Sequence, residues 1–288
     1  MVAIDGRTQL VGLLGYPIEH TLSPAMHNAG FDALGLNYCY LPLPVAPAEL
    51  GAAVAGLAAM GFVGANVTIP HKQSVMAYLD EISAEARAIG AVNTIEFHDG
   101  RRIGHNMDGA GFLEALTRRN IAVGGIRSLV MGAGGAARAV VYALLQAGSE
   151  VTILNRTPAR AEVLAEALQP YAGGVRLSAG PLDAETIAAL AAETDLVVNT
   201  TSLGMTPNVD GNPWPATVPF PAGVVAYDLV YAPLDTAFLR AAQTAGARTI
   251  DGLQMLLFQG ILAFEMWTGH AAPVDVMLSE LMKGRTHS

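Results

Sequence analysis

The chain has 288 residues, of which 52% are hydrophobic and only 14% are charged. That much apolar surface excludes a disordered chain, and the length suits about two domains of ~150 residues. Sixteen basic and 25 acidic residues give a formal net charge of −9, which excludes the basic surfaces typical of proteins that bind nucleic acids or anionic membranes. The single cysteine, Cys39, excludes an intrachain disulfide and fits a cytoplasmic protein.

The longest charge-free run, residues 50–70, is interrupted by glycines and polar residues. It predicts a helix, a turn and a strand, whereas a membrane span needs ~20 consecutive apolar residues. The first seven residues include Asp5, and no long apolar region follows a basic one. We therefore expect neither a membrane segment nor a signal peptide.

The first half predicts an α/β domain. Strands are predicted at residues 10–14, 38–41 and 65–69, helices at 23–34 and 47–60, and shorter helical segments at 73–79 and 83–89. Ser23 before Pro24 is typical of a helix N-cap. Residues 92–97 and 102–106 flank His98-Asp99-Gly100-Arg101, a sequence typical of a hairpin turn. The pattern predicts a mostly parallel sheet with one antiparallel piece.

The second half begins after a bridging helix, residues 109–119. Strands are predicted at residues 128–131, 150–154, 196–199, 224–228 and 248–250, with helices at 136–147, 158–168, 184–192 and 235–245. This alternation is typical of a doubly wound, Rossmann-type nucleotide-binding domain. Two further helices, 255–267 and 274–282, end the chain. The expected fold class is therefore α/β with two domains.

The strongest local motif is Gly132-Ala133-Gly134-Gly135-Ala136-Ala137, between a predicted strand and a predicted helix. Its G-x-G-x-x-A spacing is typical of dinucleotide sites: Gly132 permits the tight turn, Gly134 lets the backbone approach a pyrophosphate, and Ala137 allows close helix packing. The helix N-terminus would then face the phosphates. A bare glycine motif also occurs in structural turns, but the flanking strand and helix favour a dinucleotide site.

The residues after the next strand bear on the choice of dinucleotide. NAD sites usually place Asp or Glu there to hold the ribose 2′-hydroxyl. This chain has Asn155-Arg156-Thr157, with Arg160 one turn later. No carboxylate repels a 2′-phosphate and two guanidiniums can bind it, which favours NADP. The alternative is that Thr157 caps a helix and both arginines are solvated.

Four polar clusters interrupt the apolar first half, at residues 20–24, 66–72, 91–94 and 105–109. Three lie at carboxyl ends of predicted strands, where ligands bind in α/β sheets. Each cluster alone is explained by caps and turns. Together, their hydroxyls, carboxamides, one lysine and one aspartate indicate a site for a small polyhydroxylated anion. Four histidines of this half, His20, His27, His71 and His105, match no zinc spacing, so no metal is expected.

These clusters, in this order, resemble the shikimate dehydrogenase family over residues 11–269. The matching segments are 15–24, 66–72, 90–94, 106–109, the glycine loop, 155–157, 199–205, 228–233 and 252–260. The family reduces 3-dehydroshikimate to shikimate with NADPH in aromatic amino-acid biosynthesis, on the route to chorismate. The resemblance implies a cytoplasmic oxidoreductase, monomeric or homodimeric, with a small-molecule substrate and NADP as cofactor.

The resemblance also implies a substrate site of hydroxyls and carboxamides. Its residues are Thr21, Ser23, Asn66, Thr68, Asn93, Tyr231 and Gln259. Thr21 and Ser23 resemble the pair that binds the substrate carboxylate, and Lys72 and Asp108 resemble the catalytic pair. Where the family usually has serine this chain has Thr21, whose extra methyl narrows the carboxylate pocket. Ala232 likewise replaces a common asparagine.

The implied cofactor site lies in loops of the second half. Its residues are Gly132, Gly134, Gly135, Ala136, Asn155, Arg156, Thr157, Arg160, Thr200, Ser202, Leu203, Gly204, Met205, Leu229, Gly252 and Met255. Residues 199–205 resemble the loop beside the adenosine and phosphates, and Gly252 and Met255 fall where the family lines the nicotinamide.

We expect a substrate domain of residues 1–108 with 253–288, an NADP domain of residues 109–252, and a cleft between them. Lys72 as an ammonium can polarise the ketone and donate a proton, and a nearby Asp108 carboxylate favours the charged lysine. Three alternatives remain: a quinate/shikimate dehydrogenase using NAD, a non-catalytic sensor that binds shikimate-like ligands, and another two-domain dehydrogenase, such as one acting on a folate. Residues 155–160 argue against the NAD enzyme, and the Lys72–Asp108 pair argues against the sensor. The Thr21–Ser23 hydroxyl pair argues against the other two-domain dehydrogenase.

Overall fold

The computed structural model describes residues 4–283. The chain divides into two compact units, one of Met1–Gly111 with Leu256–Ser288 and one of Phe112–Met255. Residues 1–3 and 284–288, which fall in the domain ranges expected from the sequence, lie outside the described residues.

The first unit contains a mixed sheet. Its strands among the described residues are β1 Gln9–Gly15, β2 Tyr38–Pro44, β3 Gly64–Val67, β4 Glu81–Ile82, β5 Thr94–His98 and β6 Arg101–His105, in the order β2-β1-β3-β5-β6-β4. β1 is parallel to both neighbours, whereas β5 is antiparallel to β3 and β6. The β5–β6 hairpin turns at Asp99 and Gly100, which have φ of 49° and 73°, as expected for this turn sequence.

The first unit also contains five helices among the described residues. They are α1 Ser23–Leu34, α2 Leu50–Ala59, α3 Ala84–Ile89, most of α9 Leu253–Thr268 and α10 Val274–Lys283, with short 3₁₀ segments at Pro47–Glu49 and Ser74–Tyr78. α2 places Leu50, Val54 and Leu57 on one face, because residues three and four apart share a helix face. These side chains join the buried cluster around Leu14 and Ile95.

The second unit contains a fully parallel sheet. Its described strands are β7 Arg127–Met131, β8 Glu150–Asn155, β9 Leu177–Pro181, β10 Leu196–Asn199, β11 Val225–Asp228 and β12 Arg248–Ile250, in the order β12-β11-β10-β7-β8-β9. α5 Gly135–Gln146, α6 Pro158–Leu168, α7 Ala184–Ala191 and α8 Ala237–Thr244 connect them. The winding reverses between β7 and β10, as in Rossmann-type folds, which bind ligands at that point.

Three details differ from the sequence-based expectations. β9 was not predicted, because its sequence LSAGP lacks apolar alternation and the strand is a partly exposed sheet edge. The two-residue strand β4 is too short to leave a pattern. Ser23 does not cap α1: the helix already includes it, and Leu22 is the N-cap without a side-chain hydrogen bond.

Membrane spans are not found among residues 4–283, since no helix there combines the necessary length and apolar character.

His27 lies in the core of the first unit. It is 0% exposed, and its ring stacks on Tyr40 with centroids 4.4 Å apart and planes 4° apart. Neither ring nitrogen has a hydrogen-bond partner among the described residues. Burial therefore lowers the pKa of His27 to about 3, because a charged imidazolium has no compensation there.

We expect His27→Phe to remove part of the acid sensitivity of folding. With a folded-state pKa of about 3 and an unfolded value of ~6.5, the unfolded chain binds the extra proton. The stability that neutral His27 gives the folded state is fully present above pH ~6.5. It is lost as the pH falls towards the folded-state pKa, by up to ~1.4 kcal/mol per pH unit. Urea unfolding between pH 7.5 and 4.5 measures this slope. His98→Gln, at an exposed histidine, is the control, and equal slopes for wild type and His27→Phe would contradict the prediction.

Candidate active site

The polar clusters of the first unit meet at one edge of its sheet. β1 and β3 run parallel and end there, while the antiparallel β5 begins there. Asn66 of β3 is in register with Thr94 of β5, which is in register with His105 of β6. Segments 66–72, 91–94 and 105–108 are therefore neighbours, although up to 42 residues separate them along the chain.

A buried ion pair lies at this edge. Lys72 Nζ donates to Asp108 Oδ2, and the two side chains are only 16% and 5% exposed. Asp108 is the first residue of α4, Asp108–Thr117, where the positive end of the helix dipole favours a carboxylate. The other carboxylate oxygen, Oδ1, accepts from Asn93 Nδ2 at 2.9 Å. The backbone N–H of Asp108 donates to Asn106 Oδ1 at 3.0 Å. The carboxylate is thus anchored on the side away from the lysine.

The backbone around Lys72 is held by short contacts. The His71 N–H donates to Thr68 O at 2.8 Å, and Lys72 O accepts from the Val92 N–H at 2.7 Å. The buried His71 ring places Nε2 2.7 Å from Val45 O. A carbonyl only accepts, so Nε2 carries the proton, and this imidazole holds the turn that presents Lys72.

The Asn66 carboxamide has a fixed orientation. Its Oδ1 accepts from the Tyr40 hydroxyl at 2.7 Å, and its Nδ2 donates to Thr94 Oγ1 at 3.2 Å and to Asn93 O at 3.3 Å. Tyr40 is itself buried against His27. A packed aromatic ring therefore determines which way the amide faces.

Asn93 links the ion pair to α9. Its Oδ1 accepts from the Met107 N–H at 2.8 Å and from the Thr94 hydroxyl at 2.9 Å, and its Nδ2 lies 3.4 Å from Gln259 Oε1. Gln259 Nε2 in turn donates to Leu256 O at 2.8 Å. A Cβ at Gly111 would lie 2.7 Å from the Gln259 backbone nitrogen, so only glycine permits this approach.

Thr21, Ser23 and Thr68 lie beside the same sheet edge. Thr21 Oγ1 accepts from the Ser23 N–H at 3.4 Å, and Ser23 is buried at the start of α1. The methyl of Thr68 fills the space beside Gly15, where a Cβ would overlap it. The remaining predicted substrate residue, Tyr231, follows β11 in the second unit, and burial raises the pKa of its hydroxyl.

The glycine loop has the conformation expected of a phosphate site. Gly132 has φ of 116°, and a Cβ there would overlap Thr200 Oγ1. Gly134 is the N-cap of α5, no side chain caps that helix, and a Cβ at Gly134 would meet no atom within 4 Å. The N–H groups of the first turn of α5, including those of Gly135 and Ala136, therefore lie at a helix N-terminus that borders open space. A pyrophosphate fits this arrangement.

The segment after β8 is open and free of acidic side chains. Asn155 Nδ2 donates to Thr157 O at 2.9 Å. Thr157 is the N-cap of α6, yet its hydroxyl makes no capping hydrogen bond. Arg156 and Arg160 are exposed. Capping therefore does not occupy the Thr157 hydroxyl, and the segment fits a 2′-phosphate.

The segment after β10 packs against the glycine loop. Thr200 Oγ1 donates to Met131 O at 2.7 Å. The Met205 N–H donates to Ser202 O at 3.2 Å, and Gly204 has φ of 91°. The Leu203 N–H donates to Thr201 Oγ1 at 3.2 Å. These residues form one ordered turn beside Gly132.

The other predicted cofactor residues lie near the ends of β11 and β12. A Cβ at Gly252 would overlap Leu229 O, so glycine allows these two segments to touch. Met255, near the start of α9, is buried.

Sequence reasoning assigned no individual site role to several polar residues that the structure places among these groups, although four of them, Thr94, Asn106, Asn199 and Asp228, lie in the polar clusters or matching segments. They are Tyr40, Thr94 and Asn106 in the first unit and Asn199, Asp228 and Thr236 in the second. Asn199 and Asp228 each end a buried apolar strand, and that pattern is the signal that could have found them.

In the part of the chain that the structure describes, no group of three or more His, Cys, Asp or Glu side chains is placed to hold a metal ion.

The fold and the glycine loop define a class: an α/β protein of two units, the second with a Rossmann-type nucleotide-binding fold. Comparison with protein families narrows that class. Residues 13–95 match the shikimate dehydrogenase substrate binding domain, residues 115–206 the shikimate/quinate 5-dehydrogenase domain, and residues 252–282 the shikimate 5′-dehydrogenase C-terminal domain.

Individual relatives cover almost the whole chain. The shikimate dehydrogenase (NADP(+)) of Carboxydothermus hydrogenoformans is 50% identical over 95% of this chain and 96% of its own, and that of Methanopyrus kandleri is 47% identical over 98% of both. A crystal structure of the Thermus thermophilus shikimate 5-dehydrogenase with NADP(H) and shikimate has 41% identity and a TM-score of 0.86, covering 96% of this chain and 100% of that one. This chain belongs to the shikimate dehydrogenase family, and the resemblance and fold class predicted from the sequence are confirmed.

Proposed function

We propose that this protein is an NADP-dependent shikimate dehydrogenase, which reduces 3-dehydroshikimate to shikimate reversibly. The observation that carries the proposal is the Lys72–Asp108 ion pair, buried among hydroxyls and carboxamides in a chain of this family. Such a pair supplies a proton donor at a ketone, and the surrounding polar groups suit a small hydroxylated acid. Its one cysteine, Cys39, fits a cytoplasmic enzyme.

Lys72 is the proton donor in this proposal. When bound, NADPH supplies the hydride. One Lys72 N–H is directed to Asp108, and an ammonium has three donors, so two remain for the ketone oxygen. As negative charge develops on that oxygen, the ammonium stabilises it and transfers a proton, while the Asp108 carboxylate holds the ammonium in place. In the reverse direction the same nitrogen takes the proton back.

The substrate groups have separate partners. Thr21 and Ser23 bind the carboxylate through hydroxyl and backbone donors. Asn66, Asn93 and Gln259 bind the ring hydroxyls, with Thr68 beside them, and Tyr231 is the remaining substrate residue that the family resemblance implies. The three carboxamides already hydrogen-bond to neighbouring groups, which supports a site whose orientation exists before the substrate arrives.

In this proposal the first unit carries the substrate and the second carries the cofactor. The α5 N-terminus binds the pyrophosphate through the N–H groups of the glycine loop. Arg156, Arg160 and the Thr157 hydroxyl bind the 2′-phosphate, which the exposure of both arginines and the absence of an acidic side chain at 155–160 support.

The proposed activity is tested by absorbance at 340 nm, with shikimate or quinate against NADP⁺ or NAD⁺. We expect the highest kcat/KM for shikimate with NADP⁺. A higher value for quinate with NAD⁺ would favour the quinate dehydrogenase alternative. Shikimate binding by calorimetry without turnover in any combination would favour the non-catalytic sensor.

Lys72→Met should lower kcat by roughly 10²–10⁴-fold, because it removes the proton donor. KM for shikimate should change far less, since the hydroxyls and carboxamides still hold the ring. Steady-state kinetics at saturating NADP⁺ measures both values. Asp108→Asn should also lower kcat, and the double variant should lose less than the product of the single losses, because the two groups act as a unit.

The only other lysine of the chain provides the control. Lys283 is exposed at the end of α10 and pairs with Glu280, so Lys283→Met should leave kcat near the wild-type value. If Lys72→Met keeps a near-normal kcat with a raised KM, this lysine serves ground-state binding and the proton donor must be sought at His71 or Tyr231.

Arg156→Ala should weaken NADP⁺ by roughly 10- to 150-fold, the loss expected for a charge-assisted contact of ~1.5–3 kcal/mol. NAD⁺, which lacks the 2′-phosphate, should bind almost unchanged. Calorimetric Kd values for both cofactors test this, with Arg127→Ala as the control because Arg127 begins β7 at the opposite end of the sheet. Equal weakening of both cofactors would show that Arg156 is structural.

A further inference from the structure

A buried carboxylate lies at the carboxyl end of the second unit's sheet. Asp228 is the last residue of β11 and is 0% exposed. Its hydrogen-bond donors among residues 4–283 are all neutral: Asn199 Nδ2 at 2.9 Å and the Val230 N–H at 3.0 Å on Oδ1, and the Thr236 hydroxyl at 2.6 Å on Oδ2. The catalytic proposal above makes no use of this group.

The three donors come from three different parts of the unit. Asn199 ends β10, Val230 lies in the segment after β11, and Thr236 is the N-cap of α8, where its Oγ1 also accepts from the Leu239 N–H at 3.2 Å. One carboxylate therefore joins a strand end, a connecting segment and a helix start. Asn199 adjoins the cofactor residues 200–205 that the family resemblance implies, and Val230 lies between Leu229 and Tyr231, which it also implies.

The connection continues to the glycine loop. Asn199 Oδ1 accepts from both the N–H and the hydroxyl of Thr201, at 2.9 and 2.7 Å. The adjacent Thr200 donates to Met131 O, and a Cβ at Gly132 would overlap Thr200 Oγ1 and come within 3.3 Å of Thr201 Cγ2. Asp228 thus fixes Asn199, Asn199 fixes residues 200–203, and these pack directly on the turn proposed to bind the pyrophosphate.

The charge at this position costs folding stability. Burial raises the pKa of Asp228 to about 6, against the opposing effect of its hydrogen bonds. The folded state therefore favours the protonated acid, and ionisation above that pH is unfavourable for folding. An ionised carboxylate is nevertheless the one side chain of this size that only accepts, so it can satisfy all three donors. A neutral asparagine would place an N–H against one of them.

We propose that Asp228 is a positioning residue of the cofactor site, which holds residues 200–205 against the glycine loop through Asn199 and holds residues 229–236 through Val230 and Thr236. This inference rests on the proposed NADP function. It acts at the segments beside the pyrophosphate and nicotinamide, which NADP and NAD share, and not at the 2′-phosphate.

The test compares direct cofactor binding with folding stability. Calorimetry at pH 8, where the carboxylate is ionised, gives Kd values for NADP⁺ and NAD⁺, and thermal unfolding gives Tm. Asp228→Asn should weaken both cofactors by the same factor, about tenfold or more, which distinguishes it from Arg156→Ala. Thr236→Val, which removes one donor and keeps the charge, should weaken both by a smaller factor. Thr236→Ser keeps the hydroxyl and should restore binding to within about threefold of wild type.

A matched control separates positioning from general destabilisation. Asp183 is an exposed aspartate that caps α7 in the same unit by accepting from the Thr186 N–H at 2.8 Å, so Asp183→Asn should lower Tm without changing either Kd. If Asp228→Asn or Thr236→Val lowers Tm and leaves both Kd values at the wild-type level, the inference is overturned. If Asp228→Asn does not fold, the Kd values of Thr236→Val and Thr236→Ser test the inference. Failure of the wild-type protein to bind NADP⁺ would instead overturn the proposed function.

Discussion

The hydrogen-bond network at the edge of the first unit's sheet depends on how the Asp108 carboxylate is satisfied. An ammonium and a carboxylate removed from water lose more hydration energy than their attraction returns, unless further hydrogen bonds complete their shells. Asn93 provides such a bond to the carboxylate, and the helix start at Asp108 adds the favourable end of the helix dipole, which is why Asn93 must face inwards. Because Asn93 faces inwards, Thr94, Met107 and Gln259 take the positions that its other bonds require.

The second unit also buries a carboxylate, but different groups donate hydrogen bonds to it. Its buried carboxylate, Asp228, has neutral donors in place of a lysine. A lysine partner would itself need space and hydration, whereas amide and hydroxyl donors fit between parallel strand ends without enlarging the core. In both units a carboxylate therefore ends up where several chain segments meet, and its lone pairs determine the arrangement of those segments.

Local sequence signals explain which features could be predicted. The glycine loop could be recognised because the turn, the buried strand before it and the helix after it are adjacent in sequence. The alternation of strands and helices similarly indicated the doubly wound sheet, except at β9, where an edge strand with small residues leaves no pattern. The resemblance brought Lys72 and Asp108 together, although 36 residues separate them. The contacts of Tyr40, Asn199 and Thr236 could not be predicted, because a hydroxyl or amide at a strand end or helix start looks the same whether it caps a turn or supports a site.

The hydrogen-bonded carboxamides of the first unit have a consequence for how such a site can change over generations. Asn66 and Asn93 each bond to several neighbours, so replacing either one disturbs several others at once and is costly before any new substrate is gained. Thr21 has few such ties, since its hydroxyl accepts a single 3.4 Å bond and its side chain is partly exposed. Variation in substrate preference is therefore expected to accumulate at Thr21 and similar positions on the margin of the network, while its interior stays the same.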